Sequence, residues 1–135
     1  MKSQFKILLF VIIISLYSCN NNDDDNSNSE LISSWKLIEN LVDPGGGNGT
    51  FQAVESHKII KFYTDGTITS NGSLCDMSIN SDNSSSGTYS SSNLTFNSSD
   101  CTNTELDYSY QIDGSFLTVN YPCFEPCISK YSLIE

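Results

Sequence analysis

The chain has 135 residues, enough for one domain and hardly for two. It carries 16 acids against 6 bases, all of them lysine, and a formal charge of -10 without arginine excludes the basic face that nucleic-acid binding needs. One alanine (Ala53) argues against a helical bundle, and one histidine (His57) leaves few routes to histidine-based catalysis or metal binding.

The chain opens with Lys2 and Lys6 ahead of an unbroken apolar run, Ile7 to Ile14. That run is too short to cross a bilayer core, which takes about 20 residues, and it reads as a secretion signal. The segment closes on Leu16-Tyr17-Ser18-Cys19, which resembles the lipobox of bacterial lipoproteins: an aliphatic residue, a tolerant position, a small residue, then cysteine. The resemblance implies that residues 1–18 are a lipoprotein signal peptide and that the Cys19 thiol carries the lipid, diacylglycerol with its palmitate-type chains. An ordinary signal peptide with an incidental cysteine is the alternative.

Residues 19–29 follow as the lipidated cysteine and a tether. Asn20 to Ser29 contains no apolar residue, so it has nothing to bury and is expected to be disordered. It reaches on the order of 15–20 Å. The triplet Asp23-Asp24-Asp25 resembles the export signal of Bacteroidetes lipoproteins. That implies an outer-membrane lipid anchor on the cell surface, with a periplasm-facing anchor as the alternative. A calcium loop is a poorer reading, because the triplet lacks spaced ligands and a glycine. Removal of residues 1–18 takes two lysines and no acid, leaving a charge of -12. Such a surface is repelled by anionic headgroups, so membrane attachment rests on the lipid.

Residues 30–135 show period-two alternation broken by turn residues. Trp35, Leu37 and Leu41 share one face of a first strand, with Lys36 and Asn40 on the other. His57 to Tyr63 is a second strand, and Asp65-Gly66 after it is a two-residue hairpin signal. Thr67 to Ser70, Gly87 to Ser90 and Leu94 to Asn97 make the third to fifth. In the sixth, Leu106, Tyr108, Tyr110 and Ile112 face one way, and Asp113-Gly114 gives a second hairpin signal. Phe116 to Tyr121 and Ser129 to Ile134 are the seventh and eighth. The expectation is an all-β, eight-stranded antiparallel meander barrel, with a β-sandwich as the alternative.

Two segments break the pattern. Asp43 to Thr50 is glycine-rich but lacks the Gly-Lys-Ser/Thr ending of a phosphate loop, so it is expected as a flexible loop. Asp76 to Ser86 is polar. Either is a candidate lid over a barrel mouth, against the simpler reading of solvent loops.

Apart from Cys19 there are four cysteines, which in an exported chain read as two disulfides with three possible connectivities. Local pairing of Cys123 with Cys127 is sterically reasonable between Pro122 and Pro126, and Cys75 then pairs with Cys101 by elimination. The spacing suits neither a zinc site nor a Cys-x-x-Cys redox motif, and no metal or cofactor is expected.

Leu31-Ile32-Ser33-Ser34-Trp35-Lys36-Leu37 resembles the opening strand of lipocalin-like proteins. Phe62-Tyr63-Thr64-Asp65-Gly66-Thr67 resembles their Phe-x-x-Asp-Gly hairpin. Gly87-Thr88-Tyr89 with Leu94-Thr95-Phe96 resembles a further strand pair, and Leu117 to Cys127 resembles small lipocalin-like lipoproteins of Bacteroidetes. The resemblance covers about residues 30–135 and implies a lipocalin-like (calycin-like) binding domain. Ser33 departs from it, standing where the family has glycine.

These readings converge on a monomeric, non-enzymatic binding domain, with Tyr89, Phe96, Tyr108, Tyr110 and Tyr121 lining a pocket for a small hydrophobic or amphipathic ligand. The alternative is a structural or protein-interaction module, for adhesion, envelope packing or inhibition, whose core is simply filled. Glu55, His57 and Lys58 are the one cluster that invites an enzymatic reading, and no credible nucleophile accompanies it.

Overall fold

The computed structural model describes residues 31–43, 45–102 and 108–135. The expected signal peptide (1–18), Cys19 and the expected tether lie outside the described residues, as do Leu106 and Asp107 of the expected sixth strand. Nine strands run in chain order: β1 (Leu31–Val42), β2 (Thr50–Ala53), β3 (Ile59–Tyr63), β4 (Thr67–Ser70), β5 (Ser85–Ser90), β6 (Thr95–Asn97), β7 (Tyr108–Asp113), β8 (Phe116–Tyr121) and β9 (Cys127–Leu133).

Every pairing is antiparallel, in the order β2-β1-β3-β4-β5-β6-β7-β8-β9, and β1 also pairs with β9. An eight-strand meander therefore closes on itself, and the sandwich alternative does not apply. Closure depends on the length of β1. Its Leu31–Lys36 half pairs with β3, its Glu39–Val42 half with β2, and Trp35–Asn40 pairs with β9 on the opposite edge. A barrel joined all round leaves few strand edges open to another chain.

Three local expectations are corrected. First, the glycine-rich segment leads from β1 straight back into a strand paired with it, since Val42 pairs with Thr50. Asp43 Oδ1 accepts the amides of Gly45 and Gly46 at 2.9 and 3.0 Å, and Gly45 and Gly47 take positive φ (96° and 70°). β2 had no alternation to betray it, because all four of its residues are exposed.

Second, neither Asp-Gly pair forms a two-residue turn with both residues at positive φ. Only Gly66 (φ 85°) does so in the Thr64–Gly66 connection, where the Gly66 amide donates to the Tyr63 carbonyl at 3.1 Å. At the other hairpin Asp113 pairs with Phe116, so the turn is Gly114-Ser115 with glycine first (φ 57°).

Third, β1 changes phase. A bulge between Leu37 and Glu39 inserts one residue, so Asn40 rather than Leu41 follows Trp35 and Leu37 into the barrel. Asn40 is 7% exposed, and its Oδ1 accepts the hydroxyl of Ser129 at 2.7 Å. Leu41 is half-buried.

The core gathers Trp35 and Leu37 of β1, Ile60 and Phe62 of β3, Ile68 of β4, Phe96 of β6, Tyr108 and Tyr110 of β7, Leu117, Val119 and Tyr121 of β8, and Tyr131 of β9. Each is an alternate residue of its strand, as one buried face requires. The Trp35 indole donates to Ser33 Oγ at 2.8 Å, so the hydroxyl at this position satisfies the one polar atom of the ring. Two disulfides form, Cys75–Cys101 and Cys123–Cys127, the connectivity expected from spacing and elimination.

Candidate functional site

The five residues expected to line a pocket do come together. Phe96, Tyr108, Tyr110 and Tyr121 are buried, and Tyr89 is half-buried against the same core. Their faces are occupied by one another. Phe96 stacks on Tyr108 at 5.3 Å, Tyr108 meets Tyr121 edge-on at 6.1 Å, and Phe62 contacts Tyr89 and Tyr110 at 4.9 and 5.3 Å. Three phenol hydroxyls are also satisfied within the protein. Tyr89 donates to the Tyr63 carbonyl at 2.8 Å, Tyr110 to that of Ser90 at 3.3 Å, and Tyr121 shares a 3.0 Å bond with Tyr131. Burial pushes the Tyr121 phenol up to about 12 and that of Tyr131 well above its usual value.

One end of the barrel is strapped. Asp76, Met77, Ser78 and Ile79 present four successive carbonyls. They accept, in order, from Lys58 Nζ (3.1 Å), Asn40 Nδ2 (2.9 Å), Lys58 Nζ again (3.1 Å) and Ser56 Oγ (2.7 Å). Of the two lid candidates, then, the Asp76 segment is tied down and the glycine-rich one is a hairpin turn. Lys58 is wholly buried, and its ammonium lies 6.0 Å from the Tyr121 ring centroid. Burial pushes its pKa down to about 8, against the opposing pull of the Asp76 carboxylate. The Glu55-His57-Lys58 cluster does not assemble, because His57 and Glu55 are exposed while Lys58 turns inward. The period-two count that turns His57 outward is the sequence signal for burying Lys58.

A groove of about 630 Å³ lies outside the barrel, over β3, β4 and β5, within the range of about 300–1,000 Å³ usual for small-molecule sites. Ile59, Lys61 and Tyr63 are the outward alternates of β3, opposite buried Ile60 and Phe62. Lys61 pairs with Thr69 of β4 and Thr69 with Ser86 of β5, so three polar side chains stand in one row across three strands. Asp100 forms the far wall. Its Oδ2 accepts the Ser86 amide at 2.9 Å, and its neighbour Cys101 is bonded to Cys75. Ser70, Asn71, Ser84 and Ser85 complete the rim.

The rim is braced from below. Asn71 Oδ1 accepts the Ile59 amide at 2.7 Å, and its Nδ2 donates to the His57 carbonyl at 2.9 Å. The Ser85 hydroxyl donates to the Gly72 carbonyl at 2.7 Å and accepts the Leu74 amide at 2.9 Å. Gly87 lies where a Cβ would run into the Asn97 carbonyl, so β5 and β6 approach closely there. Among the described residues, Lys61 has no carboxylate within ion-pair distance; the pair formed there is Lys130 with Glu39. The pattern of aromatic residues points to a site inside the barrel, and these outward residues lie apart from it. The available signal was the outward trio of β3, two large apolar side chains flanking a lysine.

Among the described residues no group of three histidine, cysteine or acidic side chains is placed to hold a metal. Fold and site together define a small, disulfide-linked, closed β-barrel with a packed interior and a polar external groove. No family model, no curated protein and no solved structure matches this chain.

Proposed function

We propose that this protein is a lipid-anchored, lipocalin-like binding protein of the bacterial cell envelope. It is held by Cys19 at the outer membrane and is not an enzyme. Its barrel is a rigid scaffold, and recognition occurs in the external groove over β3–β5. The observation that carries the reading is the contrast between the two candidate sites. The aromatic side chains of the interior are packed ring against ring, whereas the groove is a concavity lined by a lysine, a carboxylate and several hydroxyls. The lipobox and acidic tether support the anchor, and the charge of -12 supports attachment by lipid alone.

Two measurements test this. Metabolic labelling with radioactive palmitate should mark the wild type and not Cys19→Ser; equal labelling overturns the anchor. Full-length protein extracted from its own membranes should release a small molecule detectable by mass spectrometry. Thr69→Trp, which fills the groove, should lose it. Equal recovery from Thr69→Trp, or nothing recovered from the wild type, overturns the groove as the site.

A further inference from the structure

We infer that the external groove takes a saccharide, or another polyhydroxylated ligand with an apolar C–H face. The inference rests on the groove being the binding site and adds the chemical class of the ligand. Lys61 can only donate hydrogen bonds, and the Asp100 carboxylate, with one oxygen already held by the Ser86 amide, can only accept them. Between these poles stand the hydroxyls of Thr69, Ser84 and Ser86, each able to do both. Ile59 and Tyr63 flank Lys61 on the same strand and supply apolar surface within the same concavity.

Other ligand classes fit less well. A small anion would meet Lys61 but also Asp100. A metal ion would find a single carboxylate, short of the six to eight oxygens of a calcium site. An acyl chain would strip water from Lys61, Asp100, Thr69 and Ser86 and return no hydrogen bond, at a cost that rises steeply for charged groups. A polyol gives each of these groups a partner. Its ring hydroxyls donate to Asp100 and accept from Lys61, while its C–H face lies on Tyr63 and Ile59. The register fixes the spacing, because Lys61, Thr69 and Ser86 are cross-strand neighbours about 4.5–5.5 Å apart in a row.

The test uses full-length protein in detergent on an array of neutral and acidic oligosaccharides. Amide NMR titration with the best-bound saccharide and with palmitate follows. The expected result is binding of one or more saccharides, with shifts confined to residues 59–63, 69–71, 84–86 and 100. Tyr63→Ala should weaken binding about tenfold, the scale of losing one ring contact. Lys61→Ala should weaken it severalfold, and Gln111→Ala, on the far outer face, should leave it unchanged. Unaltered melting of these variants would show that their fold is intact. Binding to no saccharide on the array overturns this inference alone, since the recovery of a native ligand through Thr69 judges the groove separately. Saccharide shifts elsewhere, or palmitate shifts at Phe96, Tyr108 and Tyr121, overturn both.

Discussion

Lys58, buried in the barrel, donates from Nζ to the carbonyl oxygen of Ser78 at 3.1 Å. The same ammonium holds the Asp76 carbonyl, so one side chain ties the strap twice. Lys58→Met keeps the stem's bulk and removes both bonds. Hydrogen bonds from a charged group contribute about 1.5–3 kcal/mol each. Amide exchange at Ser78 and Asn80, whose amides donate to Asp76 Oδ1 and Ser78 Oγ within the strap, should therefore accelerate at least about tenfold. Unchanged exchange would show that Asn40 and Ser56 hold the strap unaided.

The same lysine sets a pH dependence. With a folded pKa of about 8 against 10.5, the folded state holds fewer protons on Lys58 than the unfolded state across that window. Stability contributed by this group should therefore rise with pH from about 8 to 10.5. The buried phenols act with the opposite sign. Tyr121, raised from 10.0 to about 12, holds its proton longer in the folded state, so stability falls as pH climbs from 10.0 toward 12; Tyr131 acts in the same direction. Urea unfolding across this range should show a maximum near pH 10. In Lys58→Met the rising limb should flatten while the falling limb remains.

Much of this fold was legible in the sequence, and the failures have identifiable physical causes. Period-two alternation located the barrel strands because each has one face in the core, as with Tyr108 and Tyr110 or Leu117 and Val119. It missed β2, whose Thr50–Ala53 residues have no buried face. It put Leu41 inside because a bulge is a backbone event with no period of its own. The aromatic residues were correctly brought together, but composition does not say whether rings enclose a space or fill it. The groove arises from outward residues on three strands and a wall placed by a disulfide, and no local pattern joins Lys61 to Asp100.

The two disulfides should differ in worth. Cys75–Cys101 closes a separation of 26 residues and Cys123–Cys127 one of 4. In the chain-entropy model these contribute about 3.5 and 2 kcal/mol. Cys75→Ala with Cys101→Ala should therefore lower the melting temperature more than Cys123→Ala with Cys127→Ala. It should also lose groove binding, because Cys101 anchors the neighbouring Asp100. Equal melting of the two double variants would contradict this ranking.

Lys130 stitches the extra hairpin to the barrel. Its Nζ lies 4.6 Å from the Phe116 ring centroid, 5.6 Å from that of Phe51 and 3.3 Å from Glu39 Oε2. These groups are partly exposed, so the ion pair alone is worth about 0–1 kcal/mol. The ring contacts add about 0.5–1 kcal/mol each. Lys130→Ala should cost about 1–2 kcal/mol. Its signature should be local, with faster exchange of the Val54 amide, which bonds the Ile38 carbonyl at the base of the hairpin. A cost spread evenly over the barrel amides would argue against it.

Asn40 offers the sharpest test of the bulge in β1. In the folded chain it bridges two separate parts of the barrel, accepting from Ser129 on β9 and donating to the Met77 carbonyl in the strap. Asn40→Ala would remove one partner of the wholly buried Ser129 hydroxyl, which also lies against the Tyr121 and Tyr131 phenols, and the side-chain donor to the Met77 carbonyl. The two lost bonds together cost about 1–3 kcal/mol, more than removal of a half-buried aliphatic side chain at a strand end would suggest. Without the bulge, Leu41 would point inward and Asn40 would be free in solvent. The two registers thus rank the variants in opposite order. With the bulge, Asn40→Ala should be the more damaging in urea unfolding and should loosen the strap as well. Without it, Leu41→Ala would cost about 2–5 kcal/mol, as a core leucine does, and Asn40→Ala almost nothing.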